Sequence, residues 1–213
     1  MPTQATFKYE TKRNNLFLRV SRGHFATPNC HANYYIDVVA QKTRLSEAKA
    51  VAEELRAYFY HTTIVDTILC LDGTEVIGAC LADQLSKNDF INLNAHKSIY
   101  VVTPETTNAS QFLFRDNIIP MIAGKHVMIL AVSVASGKTV AAAIDAIRYY
   151  GGSVSGVCSI FSTAKEVSGL PVYSCFDPND LPNYQSHPSH ECPMCKAGQK
   201  IDALVNCHGF SKL

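Results

Sequence analysis

Residues 126–134, HVMILAVSV, are apolar along nearly their whole length and run directly into ASGKT and then into KTVAAAIDAIRYY. A strand with no polar face has no side to turn toward water, so it belongs inside a sheet covered by helices on both faces. The helical stripe that follows is Val140, Ile144 and Ile147, and Gly151-Gly152 ends it. Strand, short loop of small and hydroxyl residues, helix is thus the unit from which this chain is built.

The unit recurs. TIVDTILCL is a β-branched run, Asp72-Gly73-Thr74 a turn, and EVIGACLADQLS a helix with Ile77, Cys80, Leu81 and Leu85 on one side. Before it, RLSEAKAVAEELRAYFY places Ala48, Val51, Ala52, Leu55, Tyr58 and Phe59 at helical spacing, with Ser46 as the candidate cap. SIYVVT, SVSGVCSIF and PVYSCF read as further short strands. Alternating apolar strands and helices predict an α/β fold around a parallel sheet. Ligands of such sheets sit at the carboxyl ends of the strands. Two loops fall there, Asp72-Gly73-Thr74-Glu75 and Ala135-Ser136-Gly137-Lys138-Thr139.

A chain of 213 residues can bury one good core, and no repeat or linker divides it, so one domain is expected. The net charge of +1 provides no basic footprint for nucleic acid. No segment approaches the roughly 20 apolar residues of a membrane helix, and the N-terminal stretch lacks a signal-type apolar run. The expectation is a cytoplasmic protein with neither membrane nor nucleic-acid partner. In a reducing compartment most of the eight cysteines are expected to be buried thiols.

The loop at 135–139 admits three readings. A P-loop nucleotide hydrolase needs G-x-x-x-x-G-K-[ST], and its first glycine would fall on Val132, so that reading is a remote alternative. The plainest reading is an ordinary turn, with Gly137 for the bend and Ser136 as helix cap. The third is a phosphate cradle, with Ser136, Thr139 and Lys138 around Gly137 and the free N–H groups of a helix start behind them.

In HPSHECPMC, His187, His190, Cys192 and Cys195 are candidate zinc ligands, because Cys-x-x-Cys spacing lets two thiolates share one tetrahedral ion. Four ligands from nine consecutive residues close a tetrahedron awkwardly. The expectation there is a reduced, packed thiol pair rather than zinc, and the other histidines have no motif spacing.

With its surroundings, the segment 127–152 resembles the phosphate-loop signature of type I phosphoribosyltransferases, and the likeness points to the orotate branch. Residues 23–37, GHFATPNCHANYYID, are similar to that family's N-terminal segment. VDTILCLDGTEVIGACLADQLS resembles its pyrophosphate-side strand and loop, SIYVVTPE the strand entering its catalytic loop, and ECPMCKAGQKIDAL a tail found in some orotate enzymes. The resemblance implies a central parallel sheet over about 44–176. It also implies a small hood from about 1–43 and 177–213, and a homodimer. Residues 135–139 would hold a 5′-phosphate and residues 72–75 would face pyrophosphate. Phe25, Tyr34 and Tyr35 would lie near a base, although burial in an amphipathic strand suits the tyrosines equally well.

Two departures bear on activity. The family's acidic pair, which holds the ribose hydroxyls directly or through water around magnesium, is replaced by Ala131 and Val132. The loop TPETTNASQFLF, 103–114, has no Lys or Arg to meet a leaving pyrophosphate, although positioned cations supply much of the stabilisation of such groups. No catalytic residue is identified. The expected behaviour is binding of a phosphorylated sugar or nucleotide with transfer lost or much weakened. Magnesium enters only if phosphoribosyl pyrophosphate is bound. The alternative is an active enzyme joining orotate to that diphosphate, with Asp72 and Glu75 standing in for the missing acids.

Overall fold

A computed structural model of the chain describes residues 6–10, 16–28, 30–88, 91–95, 97–107, 111–206 and 209–213. Strands β1 (Thr6–Glu10), β2 (Phe17–Ala26) and β3 (His31–Asp37) form an antiparallel meander. Helices α1 (Val39–Thr43) and α2 (Leu45–Phe59) lead to β4 (Thr67–Cys70), α3 (Glu75–Leu85) and β5 (Tyr100–Val102). A small hairpin follows, β6 (Glu105–Thr106) with β7 (Phe112–Leu113). Then come β8 (His126–Val134), α4 (Lys138–Tyr149), β9 (Ser153–Ser162), β10 (Glu166–Val167) and β11 (Leu170–Phe176). The tail carries β12 (Ser186–His187), the single-turn α5 (Pro193–Lys196), β13 (Ala203–Asn206) and β14 (Gly209–Lys212).

The central sheet has the order β5-β4-β8-β9-β11-β10, parallel throughout except for β10. The apolar run of β8 explains its central place. Val127, Ile129 and Ala131 join one core with Val140, Ala143, Ile144 and Ile147 of α4. Met128, Leu130 and Val132 join the other, with Val51, Leu55 and Phe59 of α2 and Ile77 and Leu81 of α3. Each large aliphatic side chain so buried contributes about 1.5–3 kcal/mol, which is why a strand without a polar face is stable only here.

The N- and C-terminal segments build a second sheet of order β12-β3-β2-β13-β14, with β1 also paired to β2. β13 runs parallel to β2 through Ala203 beside Phe25 and Leu204 beside Ala26. Leu16, Leu18, Val20 and Tyr34 of this hood share the core of α2 and α3. Arg19 adds a two-pronged ion pair to Glu47 of α2, at 2.6 and 2.7 Å.

Local expectations fared unevenly. The N-cap of α2 is Arg44, and Ser46 lies inside the first turn instead of capping it. The N-cap of α4 is Gly137 in the left-handed region, so Ser136 is not the cap and its hydroxyl stays outside the helix. Among the described residues, no helix is long and apolar enough to cross a membrane.

Candidate functional site

The order of the central sheet reverses between β4 and β8. In open α/β sheets the loops leaving such a pair of strands part company around a crevice, and ligands bind there. Both loops singled out in the sequence leave these two strands.

On the β8 side, Gly137 has φ +73°, and a Cβ added to it would meet Val167 Cγ2 at 2.7 Å. Only glycine fits this turn without strain. The loop is pinned to β9 below it. The Thr163 hydroxyl donates to the Ala135 carbonyl at 3.1 Å, and the Thr163 N–H donates to the Val134 carbonyl at 2.9 Å. Ser136, Lys138 and Thr139 are exposed, and among the described residues none of their side chains has a hydrogen-bond or ion-pair partner. The first N–H groups of α4 have no helical acceptor. Two hydroxyls, one cation and these N–H groups are the polar groups exposed at this loop.

On the β4 side, Asp72 and Gly73 have φ +57° and +79°, a tight left-handed turn that Asp tolerates better than most residues. Thr74 is buried, with its hydroxyl 2.9 Å from the Leu71 carbonyl and 3.1 Å from that of Leu130. It fastens the end of β4 to β8 and does not reach into the crevice. Glu75 is exposed and accepts a hydrogen bond from the Thr103 hydroxyl at 3.0 Å. Sequence reasoning missed Lys42 of α1, whose Nζ donates to the Asp72 carbonyl at 2.9 Å. No motif marks it; only the fold brings α1 to this turn.

Where the resemblance expects ribose-binding acids, Ala131 is 1% exposed and Val132 is 7% exposed, one on each face of the sheet. These positions are incorporated into the two cores. The loop after β5 is equally poor in charge for a leaving group. Residues 108–110 of it lie outside the described residues, but Arg115, which follows β7, spends both prongs on Glu105 at 2.7 Å. Lys125 lies at the opposite end of the sheet, just before β8 begins.

Phe25, Tyr34 and Tyr35 are buried in the hood. Tyr35 packs against Phe25 and Phe210, with ring centroids 5.9 and 4.9 Å away. Tyr34 stacks on Tyr184, and its hydroxyl donates to the Pro182 carbonyl at 2.8 Å. Tyr34 and Tyr35 are adjacent in β3 and so lie on its two faces, each buried in a different cluster, so the strand is not amphipathic at this point.

The tail cysteines lie in a different setting from the one expected. Among the described residues, Cys192 and Cys195 are grouped with His24 of β2 and His31 of β3, one ligand atom of each lying within 4.8 Å of all the others. The neighbouring histidines are not in the group. His187 is paired in register with His31, but its Nε2 is buried without a partner, and His190 is exposed beside Glu191 at 3.2 Å. Burial, and secondarily the charge of His24, hold His31 below the usual histidine range, so its imidazole is neutral near pH 7. The remaining buried thiols follow expectation, since burial pushes Cys70 up to about 12 and Cys175 well up. Such groups are inert packing thiols.

No protein-family model matches the chain, and no curated protein is similar to it in sequence. Solved structures are similar in fold. The orotate phosphoribosyltransferase of Mycobacterium tuberculosis H37Rv aligns at a TM-score of 0.53 and 16% identity, over 77% of this chain and 92% of that one. The orotate phosphoribosyltransferase from Aeropyrum pernix aligns at 0.53 and 15% identity, over 85% and 93%. An adenine phosphoribosyltransferase from Thermoanaerobacter pseudethanolicus aligns at 0.50 and 16%, over 68% and 88%. The fold is that of the type I phosphoribosyltransferases.

Proposed function

We propose that this chain is an orotate phosphoribosyltransferase-like protein that binds a phosphorylated sugar or nucleoside monophosphate, with transfer lost or much weakened. The observation that carries the reading is an asymmetry within one βα unit. Ser136, Lys138 and Thr139 around Gly137 are exposed and without a side-chain partner among the described residues, while Ala131 and Val132 before them are sealed into the core.

The N–H groups of α4 and the hydroxyls of Ser136 and Thr139 donate to phosphate oxygens, and Lys138 balances their charge. A sugar attached to that phosphate meets apolar side chains where two hydroxyls need acceptors. Each unpaired hydroxyl so placed costs on the order of 1–3 kcal/mol. A departing pyrophosphate meets Asp72, Glu75 and a Glu105–Arg115 pair, with Lys42 the cation nearest the turn. Magnesium has a part only if the diphosphate binds, with Asp72 and Glu75 as the available carboxylates. Self-association as a homodimer belongs to the same proposal.

Calorimetric titration with ribose 5-phosphate, uridine and orotidine monophosphates, and phosphoribosyl pyrophosphate, with and without magnesium, tests it. Monophosphates are expected to bind without magnesium, and orotate is expected not to be consumed. Magnesium-dependent binding of the diphosphate with turnover of orotate would establish an active enzyme instead. No heat with any phosphate compound would remove both readings.

A further inference from the structure

We infer that His24, His31, Cys192 and Cys195 form a structural zinc site that clamps the C-terminal tail onto the hood hairpin. His24 Nε2 lies 3.1 Å from His31 Nδ1, 3.5 Å from Cys192 Sγ and 3.7 Å from Cys195 Sγ, and Cys195 Sγ lies 3.3 Å from His31 Nδ1. A regular tetrahedron built from Zn–N of about 2.0 Å and Zn–S of about 2.3 Å has N–N edges near 3.3 Å and N–S edges near 3.5 Å. The four measured edges fall around those lengths.

The surroundings point the same way. His24 Nδ1 is 3.0 Å from the Gln199 carbonyl and 3.2 Å from that of Lys200. Carbonyls only accept, so Nδ1 carries a proton, and Nε2 of the neutral ring presents a bare lone pair to the cluster. A carbonyl on the far nitrogen is the usual support of a zinc-binding histidine. That one lone pair faces an imidazole nitrogen and two sulfurs at once in a largely buried place, and one hydrogen bond cannot satisfy all three. A cation among them accepts a pair from each. Two thiolates and two neutral imidazoles also cancel the charge of a divalent ion, which suits burial.

The ligands come in two pairs, and each pair is built locally. His24 and His31 flank the β2–β3 turn, where the Thr27 N–H donates to the Cys30 carbonyl at 2.8 Å. Cys192 caps the start of α5 and Cys195 lies within it, and the Lys196 N–H donates to the Cys192 carbonyl at 3.1 Å. Four protein ligands leave no open position, so the role is structural and not catalytic. The ion would hold together two pieces of chain 168 residues apart.

The test uses the full-length chain purified under reducing conditions, with any histidine tag removed. Elemental analysis is expected to find about one zinc per chain. Replacement by cobalt(II) is expected to give the intense visible bands of a tetrahedral site and a thiolate charge-transfer band. His187→Ala/His190→Ala keeps the metal, whereas Cys192→Ser/Cys195→Ser and His24→Ala/His31→Ala lower its content at least tenfold. Folded, reduced wild-type protein that contains no zinc and gives no tetrahedral cobalt spectrum would overturn the site, as would loss of the metal on removing His187 and His190. The wild-type measurements stand even if a variant misfolds. Phosphate titration of the same sample keeps this result separate from the reading of the 135–139 loop.

Discussion

Gly137 sets the geometry of the 135–139 loop, and its replacement has two costs. Gly137→Ala forces an L residue into the left-handed region, about 1–2 kcal/mol, and drives a methyl into Val167. Urea unfolding is expected to show a loss of about 2–4 kcal/mol, and monophosphate binding should fall with it. Lys138→Ala acts differently, because that side chain is exposed and has no hydrogen-bond or ion-pair partner among the described residues. Stability should stay within about 0.5 kcal/mol while monophosphate affinity drops roughly tenfold at low salt. Unchanged affinity would make Lys138 a bystander. Grafting the family's acids back, as Ala131→Asp with Val132→Asp, buries two unpaired carboxylates on opposite faces of β8. A thermal melt should show destabilisation of at least about 3 kcal/mol, with no turnover of orotate gained.

At the scale of elements, the reading of β8 with α4, and of β4 with α3, was available from the sequence because burial on both faces leaves an unbroken apolar run beside a clean helical stripe. Caps were not, since Arg44 and Gly137 are chosen by the backbone path and not by side-chain hydrogen bonds. β12 and β14, two and four residues long and without an apolar run, carry too little pattern to register. Contacts between elements were equally hidden. Gly156 of β9 admits the ring of Phe59 from α2, and a Cβ there would lie 2.7 Å from Phe59 Cε1. Gly156→Ala is expected to cost about 1–3 kcal/mol in denaturant unfolding, and Phe59→Leu in the same chain should recover part of it. At the start of β8, Asp66 receives the His126 N–H at 2.9 Å and the His126 ring at 2.8 Å. Burial raises this carboxyl, but those bonds and the charges of Lys97 and His126 more than offset it, leaving it below its usual value. Its stabilisation is present above about pH 4 and disappears as pH falls through the lowered value. Asp66→Asn should therefore cost about 1 kcal/mol at pH 7 and little at about pH 2, measured by urea titration at each pH.

Across the whole molecule, the hood and the parallel sheet share a core. Leu18 of β2 is fully buried beside residues of α2. Leu18→Ala should cost about 2–5 kcal/mol, and circular dichroism and tyrosine fluorescence should report the same midpoint before and after the change. Separate transitions would mean that the hood unfolds by itself. This scale is also where the sequence was least informative. The 135–139 loop is one contiguous stretch and could be singled out, whereas His24 and His31 meet Cys192 and Cys195 only through the pairing of β2, β3 and the tail. Half of that cluster was visible as Cys-x-x-Cys, and its true partners lay in a hairpin with no spacing signal.

The parallel pairing of β2 with β13 has a consequence for how the protein is made. Every strand of the parallel sheet has been synthesised by residue 176, while β2 must wait for residues 203–206 to acquire its parallel neighbour. On the ribosome the interior sheet can close first, leaving the earlier-made hairpin with an edge open at Phe25 and Ala26 until residues 203–206 emerge. A chain stalled between residues 176 and 203 would thus present that edge to chaperones or to other nascent copies, and the emergence of β13 is the event that seals it.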